Sequence, residues 1–453
     1  MSLQLQFLGA AGTVTGSKYL LRNENVCLLI DCGLYQGVKN NRLRNWEKLP
    51  VALHEIDAII LTHAHLDHSG FLPVLVRDGF RGKVYSTQGT KDLCGLLLPD
   101  SGHLQEEDAE FANRHGFSKH HPALPLYTQE EAEQALNSFH PEPYKKTFTI
   151  KNKCDVTFIP AGHIIGASSV VITIDGKKIV FSGDIGRSDD LFMRAPQTVP
   201  AADYVIIEST YGNRVHPKSD PKKEIADIVE ITMRRQGTIL IPAFAVGRSQ
   251  LLLHLFTQLM IEGRIPKLPM YLDSPMAVHA TRIYEMHSQD HKLSHADFDN
   301  LNKHTKYVEH AEDSMSLIRI KSPKIIVSAS GMATGGRVLH HLKNIAPDDR
   351  NTLLFAGYQA TGTRGANIIG GIDRIKIHGG YVPIRAHIAH LDYLSAHADK
   401  IGLINWLRAI EHAPQRVFIT HGEPDSADAL RLAIQDELGW SAHVPNYLDT
   451  VTL

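Results

Sequence analysis

The sequence of 453 residues is poor in cysteine and has no long apolar run. The four cysteines, at positions 27, 32, 94 and 154, form no CxxC pair and are too sparse for a disulfide framework. This scarcity excludes a small disulfide-stabilised secreted fold and favours a reducing compartment. No apolar stretch approaches the roughly 18 residues that a membrane span requires, and the first residues lack the pattern of a secretory signal. We therefore expect a cytoplasmic protein that does not enter a membrane.

A strong charge of one sign is also missing. The formal net charge is −2, which by itself says almost nothing about binding partners. The charge is nevertheless uneven, since lysine and arginine outnumber aspartate and glutamate in residues 211–385 and the reverse holds elsewhere. This distribution fits either a polyanion-facing surface on one part of the chain or two domains with ordinary charge scatter.

The chain is too long for one ordinary core, so its length predicts two domains. Short runs rich in β-branched residues, such as 26–30 and 58–61, predict strands that are buried on both faces. The polar, proline-broken stretch 117–143 is expected to flank a site rather than extend a sheet. The sequence contains no internal repeat and no low-complexity segment.

From residue 221 onwards, helical and strand patterns alternate regularly. A helix predicted over residues 221–236 precedes a strand predicted over 238–241, and similar pairs follow. Such alternation is typical of a parallel sheet covered by helices on both faces. The chain is expected to return to the first domain after Arg385. The predicted domains are therefore a first domain formed by residues 1–210 and 386–453, and an inserted domain over 211–385.

Histidine is unusually frequent, with 27 copies, and three of them lie within residues 63–68. This run follows an apolar strand and contains His63, His65, Asp67 and His68. Two histidines at i and i+2 in an extended loop point the same way, so both can reach one metal ion, while Asp67 and His68 can face a second. Imidazole and carboxylate together are typical ligands of Zn²⁺, and Mn²⁺ or Fe fits the same ligand types. A histidine-rich surface loop is the alternative.

Three further candidate ligands follow other predicted strands. His163 follows the apolar run before Pro160, Asp184 lies in the sequence FSGD, and His421 lies in the sequence VFITHGE. Each of them alone fits a turn residue equally well. Together with the first run, they form a coherent set of seven ligands.

The order HxHxDH, a lone histidine and SGD resembles the metallo-β-lactamase fold. The sequence VIIESTYG at 205–212, the sequence SAHAD at 395–399 and THGE at 420–423 resemble the β-CASP subfamily. That subfamily includes RNA-processing nucleases and the nuclease subunit of the eukaryotic cleavage and polyadenylation machinery. The resemblance implies an α/β fold, an αββα metallo-β-lactamase sandwich with an inserted parallel-sheet β-CASP domain. A histidine at position 421 is typical of the members that act on RNA.

The resemblance also implies a ligand assignment for two zinc ions per chain. The first ion would be held by His63, His65 and His163, and the second by Asp67, His68 and His421. Asp184 would bridge the two ions. Asp31, in the sequence LIDCG, matches an early aspartate of the family and would orient a metal ligand; a strand-end turn is the alternative.

Catalysis is expected to depend on Asp67, His397 and Glu208. His397 lies in the SAHAD sequence, where it could donate a proton to the departing oxygen. Glu208 could hydrogen-bond to His397 and hold its tautomer. A buried structural Glu–His pair is the alternative interpretation. His387 and His390 lie outside that sequence and rank below His397.

Two glycine-rich loops of the inserted segment are candidate phosphate-binding sites. Small residues between a strand and a helix let backbone N–H groups approach an anion. The candidate residues in the first loop are Ser330, Gly331, Thr334, Gly335, Gly336 and Arg337, and those in the second are Gly362, Thr363 and Arg364. Ordinary tight turns also use glycine, so a purely structural role is the alternative.

The sequence therefore predicts a zinc-dependent hydrolase of RNA phosphodiester bonds. We expect an endoribonuclease, with 5′-exonuclease activity as a second mode, that acts on single-stranded RNA in a cleft between two domains. The alternatives are a metallo-hydrolase of a small ester or thioester and a catalytically silent RNA-binding scaffold. A homodimer is compatible with the sequence.

Overall fold

The computed structural model describes residues 2–116, 118–357, 359, 362–391 and 394–453. The chain divides into two compact units, one formed by Met1–Val215 with His397–Leu453 and the other by His216–Ala396. We call them unit 1 and unit 2. Residues 386–391 and 394–396, predicted to belong to the returning part of the first domain, lie in unit 2 instead, because strand His387–Leu391 pairs in parallel with strand Thr352–Ala356 of unit 2.

Unit 1 contains two seven-stranded sheets, each of mixed direction. The strands of the first sheet are, in spatial order, Thr450–Thr452, Gln4–Phe7, Tyr19–Arg22, Cys27–Ile30, Ala58–Ile60, Lys83–Ser86 and Phe139–Pro141. Its first four strands pair antiparallel and its last four pair parallel. The expectation that residues 117–143 flank a site rather than extend a sheet is therefore wrong for Phe139–Pro141. Residues Phe139–Pro141 pair with strand Lys83–Ser86 and form the edge strand of the sheet. Burial of the Phe139 side chain stabilises this position.

The strands of the second sheet are, in order, Ala442–His443, Arg416–Thr420, Tyr204–Glu208, Lys177–Phe181, Ser168–Ile174, Cys154–Pro160 and Phe148–Ile150. The two sheets share one apolar core, in which Leu28 and Ile60 of the first sheet pack with Phe158 and Phe181 of the second. This core makes unit 1 a sandwich.

Helices complete unit 1. Among the described residues, they are Lys39–Leu43, Leu66–Ser69, Leu72–Arg77, Gln88–His115, Gln129–Ala135, Lys400–Arg408 and Pro424–Leu438, with short 3₁₀ turns at Arg44–Trp46, Leu53–Glu55 and Leu136–Ser138. Leu403 and Leu430, from the last two helices, pack with Val205 of the second sheet in a separate apolar cluster. None of the helices in the described ranges is long and apolar enough to cross a bilayer.

Unit 2 is built on a six-stranded sheet in which every pair is parallel. Its strands are, in order, Thr305–Tyr307, Met270–Leu272, Ile325–Ser328, Ile239–Pro242, Thr352–Ala356 and His387–Leu391. The helices are Pro221–Arg234, Arg248–Ile261, Pro275–Met286, His295–His304, Ala311–Arg319, Val338–Ile345 and Arg364–Ile369, and a hairpin joins Arg374–Ile377 to Gly380–Pro383. The predicted fold class, a mixed α/β fold with a parallel sheet in the second part, is confirmed.

Candidate metal centre and active site

Parallel strands bring three of the candidate residues to one edge of the second sheet of unit 1. Strand Tyr204–Glu208 lies between two parallel neighbours, Lys177–Phe181 and Arg416–Thr420. The carboxyl ends of parallel strands meet at the same edge of a sheet, so the residues that end or follow these strands lie close together. They are Asp184, Glu208 and His421, whose ligand atoms all lie within 4.8 Å of one another.

The first sheet contributes in the same way. Strands Cys27–Ile30 and Ala58–Ile60 are parallel neighbours, and their last residues are directly opposite. Asp31 therefore lies beside Thr62, the residue that precedes the histidine run 63–68. The carbonyl oxygen of Thr62 accepts a hydrogen bond of 2.9 Å from the backbone N–H of Ser168, which ties the two sheets together at the site.

The first ligand group consists of His63, His65, His163 and Asp184. His65 Nδ1 lies 3.1 Å from His63 Nε2 and 3.2 Å from His163 Nε2. Asp184 Oδ2 lies 3.3 Å from His63 Nε2 and 3.5 Å from His163 Nε2. Four ligands about 2.0–2.1 Å from a tetrahedral zinc ion are separated by roughly 3.3 Å, which matches these distances.

The second ligand group consists of Asp67, His68 and His421. His421 Nε2 lies 3.1 Å from His68 Nε2 and 3.4 Å from Asp67 Oδ2. Asp184 Oδ1 lies 3.2 Å from His68 Nε2, so the two oxygens of one carboxylate face different ligand groups. Asp184 Oδ1 is buried and has no hydrogen-bond partner in the part of the chain that the structure describes. A buried carboxylate oxygen in that position fits a bridging ligand between two cations.

Asp31 fixes the orientation of His68. Asp31 Oδ2 lies 2.7 Å from His68 Nδ1, so the carboxylate accepts the Nδ1 proton and leaves the Nε2 lone pair for a metal ion. The carboxylate is itself held by the backbone N–H of Thr62 at 2.8 Å and by the hydroxyl of Ser17 at 3.1 Å. Thr62 and Ser17 escape prediction from the sequence, because short hydroxyl residues next to a ligand run are common in any loop.

Burial controls the charge of the ligands. Burial lowers the pKa of His65 to about 3, so the ring is neutral at physiological pH and its nitrogen lone pair can bind a cation. Burial opposes the ionisation of Asp184, but the positive charges of His421 and His68 outweigh it and hold the pKa of Asp184 well below its usual value. His65 is therefore a neutral imidazole and Asp184 an ionised carboxylate, the forms that metal ions bind, whereas the neighbouring carboxylates raise the pKa of His68 and His421.

Glu208 and His397 form the predicted pair beside the ligands. Glu208 Oε2 lies 3.2 Å from His397 Nδ1 and accepts a 2.5 Å hydrogen bond from the hydroxyl of Thr210. The backbone N–H of Ile185 donates to Glu208 Oε1 at 2.5 Å. The imidazole ring of His397 lies 4.4 Å, centroid to centroid, from that of His163, so the pair borders the first ligand group.

Glu208 also sets the protonation of His397. Burial alone would lower the pKa of this imidazole, but the charge and hydrogen bond of Glu208 outweigh burial and raise the pKa to about 9. The imidazole of His397 is therefore protonated at neutral pH, and 21% of its side chain remains exposed.

The glycine-rich loops lie in unit 2, and the hydroxyl groups of Ser330 and Thr363 accept hydrogen bonds from nearby backbone N–H groups. Ser330 Oγ accepts hydrogen bonds from the backbone N–H groups of Thr334 at 3.1 Å and Gly335 at 3.3 Å. Thr363 caps the helix Arg364–Ile369 by accepting from the backbone N–H of Ala366. Gly336 and Gly362 have φ angles of 77° and 84° and Gly331 packs against Phe244, positions where a side chain would be strained. Residues 358, 360 and 361 of the second loop lie outside the described residues.

The side chains of Arg337 and Arg364 form hydrogen bonds and ion pairs within the protein. Arg337 forms an ion pair of 2.8 Å with the buried Asp273 and donates to the carbonyl oxygens of Val308 and Glu309. Arg364 donates to the carbonyl oxygens of residues 333, 334 and 376. Sequence pattern cannot reveal these contacts, since the partners lie 12 to 64 positions away.

A sandwich with clustered histidine and aspartate side chains at its strand ends, as candidate metal ligands, is typical of a metallo-hydrolase. Three family profiles match the chain: the metallo-beta-lactamase superfamily over residues 11–223, the Beta-Casp domain over 249–368, and the Zn-dependent metallo-hydrolase RNA specificity domain over 381–445. The chain belongs to the β-CASP family of the metallo-β-lactamase superfamily, as its sequence motifs indicate.

Curated relatives align along nearly the whole chain. A ribonuclease of Thermus thermophilus is 36% identical over 430 residues, covering 93% of this chain and 94% of the relative. Transcription termination factor FttA of Methanosarcina mazei is 34% identical over 98% of this chain and 71% of the relative, and that of Methanocaldococcus jannaschii is 31% identical over 99% and 71%. A solved structure of a protein of unknown function from Enterococcus faecalis matches over 100% of both chains with a TM-score of 0.57 and 13% identity, which supports the fold alone.

Proposed function

We propose that this protein is a zinc-dependent ribonuclease that cleaves single-stranded RNA internally, with 5′-exonucleolytic trimming as a second mode. The observation that carries the proposal is the position of the Glu208–His397 pair beside two ligand groups that share Asp184. The similarity to a Thermus thermophilus protein named as a ribonuclease supports RNA as the substrate.

The ligand distances fit two divalent ions, and the ligand types suit zinc. Bound in this way, two ions would lower the pKa of a water molecule and stabilise negative charge on a phosphoryl oxygen. His63, His65, His163 and Asp184 would hold one ion, and Asp67, His68 and His421 would hold the other with Asp184. Asp31 would keep the ring of His68 turned toward its ion.

The protein itself supplies the proton for the departing oxygen. Glu208 orients His397 through Nδ1, so the proton that can pass to the substrate is the one on Nε2. Thr210 and Ile185 hold the Glu208 carboxylate in turn, so the donor is fixed before the substrate binds. Proton transfer from a positioned side chain contributes about 10²–10⁴-fold to a reaction of this kind.

The proposal can be tested with labelled RNA. The purified protein is assayed for bound metal and incubated with single-stranded RNA labelled at the 5′ end or the 3′ end, beside an Asp67→Ala variant. We expect zinc in the wild type, cleavage of both substrates, and loss of cleavage in the variant. Undiminished cleavage in the variant would show a contaminating nuclease, and binding without cleavage at full zinc occupancy would favour an RNA-binding scaffold.

Two further substrates separate the finer parts of the proposal. A circular single-stranded RNA has no end, so its cleavage requires endonuclease activity. A fully paired duplex of the same sequence tests the preference for single strands. Cleavage of linear RNA with no cleavage of the circle would leave only the exonuclease mode, and equal cleavage of duplex and single strand would contradict the proposed substrate.

A further inference from the structure

Away from the metal ligands, unit 1 exposes a short segment that combines positive charge with an aromatic ring. Residues 38–48, here called the basic–aromatic segment, contain four basic side chains and one carboxylate, Glu47. The basic residues are Lys39, Arg42, Arg44 and Lys48. Trp46 is 62% exposed, although tryptophan is large and apolar. Exposed aromatic rings among cations are the usual components of a surface that binds single-stranded nucleic acid.

The fold holds this segment in place, so the exposure of its side chains is not caused by loose packing. Asn45 is buried and forms two hydrogen bonds with the backbone of Tyr35, of 2.9 Å and 2.8 Å. The guanidinium of Arg44 stacks 4.3 Å from the ring centroid of Tyr447. Trp46 thus projects from a fixed backbone.

A loop over residues 9–17 connects the segment to the metal centre. Asn41 donates a hydrogen bond of 3.3 Å to the hydroxyl of Thr13 at one end of this connection. At the other, the carbonyl oxygen of Ala10 accepts a bond of 2.7 Å from the backbone N–H of His421. One loop therefore contacts both the basic–aromatic segment and a metal ligand.

An open pocket of about 420 Å³ lies beside this loop. Its walls include Ala11 and Gly12 of the loop, Pro424 shortly after the ligand His421, and Tyr447, on which Arg44 stacks. Pockets for small ligands typically measure roughly 300–1,000 Å³, so a nucleotide fits this one by volume, and the charged residues of its walls, Asp428 and Arg431, pair with each other. The segment and the pocket therefore meet at Tyr447, which lines the pocket and stacks with Arg44.

We propose that the basic–aromatic segment and this pocket form a second binding site for single-stranded RNA, beside the metal centre and separate from it. A base stacks on Trp46, and the phosphates that follow pair with Lys39 and Arg42. A protein partner fits less well, because lysine is depleted from the centres of protein interfaces, and the exposed Lys39 and Lys48 lie on either side of Trp46 in the sequence. The inference rests on the proposed function, since it describes how the strand is held while it is cut.

The test uses the zinc-loaded full chain and a 5′-fluorescein-labelled single-stranded RNA of about 20 nucleotides. Binding is followed by fluorescence anisotropy at 4 °C, with a gel to show that the RNA stays intact. Trp46→Ala should weaken binding about 5- to 10-fold, and Trp46→Phe, which keeps a stacking ring, should restore most of the affinity. The double variant Lys39→Gln/Arg42→Gln should reduce the slope of log K against log salt by about 1.4, or roughly 0.7 for each phosphate that the variant no longer neutralises.

The matched control is Phe111→Ala/Arg114→Gln on helix Gln88–His115, which removes an exposed ring and a cation elsewhere on unit 1. The control should bind RNA as the wild type does. Hydrolysis of bis(4-nitrophenyl) phosphate should be equal in all variants, because this small diester does not reach Trp46. If the wild type fails to hydrolyse any diester, the proposed function fails while the binding comparison still stands. Equal RNA affinity of Trp46→Ala and wild type would overturn the inference. It would also be overturned if light scattering showed that the Trp46→Ala variant differs from the wild type only in oligomeric state.

Discussion

His68 donates a hydrogen bond from Nδ1 to Asp31 across 2.7 Å and thereby presents Nε2 to His421, 3.1 Å away. The first contact explains the second, because a carboxylate on one ring nitrogen decides which nitrogen keeps its lone pair. Asp31 has a φ angle of 57°, a conformation that costs a non-glycine residue energy. The fold holds this conformation through the bonds from Thr62 and Ser17.

Asp31→Asn should therefore weaken metal binding without removing a ligand. Asparagine keeps the shape and tolerates the backbone angle, but it loses the negative charge that orients His68. We expect a loss of zinc affinity of about 10- to 100-fold. Competition with a chromophoric chelator measures it, and Asp155→Asn, an exposed aspartate on the second sheet, serves as the control. Unchanged zinc affinity would mean that Asp31 has only a turn role.

His397→Ala should reduce RNA cleavage far more than hydrolysis of an activated diester. The ribose oxygen that leaves RNA needs a proton, whereas nitrophenolate leaves readily without one. We expect about 10²–10⁴-fold loss of kcat with RNA and a much smaller loss with bis(4-nitrophenyl) phosphate. Zinc content should remain that of the wild type. Equal losses with both substrates would favour a structural Glu–His pair.

The pH profile should report the effect of Glu208 on His397. The pKa of His397 is raised to about 9, so the donor is protonated below that pH and the rate should fall as the pH rises through it. Glu208→Gln removes the charge that raises this pKa, so the alkaline limb of kcat should move to lower pH. Bound cations lower the pKa of His397 in the wild type and in Glu208→Gln alike. The test is therefore the difference in pH between the alkaline limbs of the two proteins. An alkaline limb at the same pH in both would exclude this role for Glu208.

The substitution Arg337→Ala should lower the stability of unit 2, and its effect should not be limited to RNA affinity. The guanidinium bonds to the buried Asp273 and to two carbonyl oxygens, and hydrogen bonds to a buried charge contribute about 1.5–3 kcal/mol. We expect a loss of about 2–3 kcal/mol in the free energy of unfolding, measured by urea denaturation. Arg350→Ala, which removes an exposed pair with Asp348, should leave the midpoint nearly unchanged. A stable Arg337→Ala protein that no longer binds RNA would instead support the prediction that Arg337 binds phosphate.

The family and much of the candidate site can be predicted from sequence because the chemistry is dense there. Three imidazoles and a carboxylate in residues 63–68 fit few functions other than metal binding. His163, Asp184 and His421 are predictable from their positions after strands, where parallel topology brings chain ends together. The structure places all of them within hydrogen-bonding distance of at least one other ligand.

Other features depend on tertiary contacts that no local pattern contains. Phe139–Pro141 is short and lies in a polar region, yet it joins a sheet because Phe139 finds a buried position there. Strand His387–Leu391 fits either unit equally well until its pairing with Thr352–Ala356 is known. Trp46 escapes prediction because exposure cannot be inferred from a single aromatic residue.

The division of unit 1 along the chain has a consequence for its biosynthesis. Six of the seven candidate ligands precede residue 216, but His421 and the proposed proton donor His397 follow the whole of unit 2. A ribosome that has made only the first 396 residues therefore carries a chain without a complete centre. The candidate ligand set and the proposed proton donor are complete only after more than four-fifths of the sequence has been made, so we expect metal-dependent cleavage by a nascent chain only late in translation.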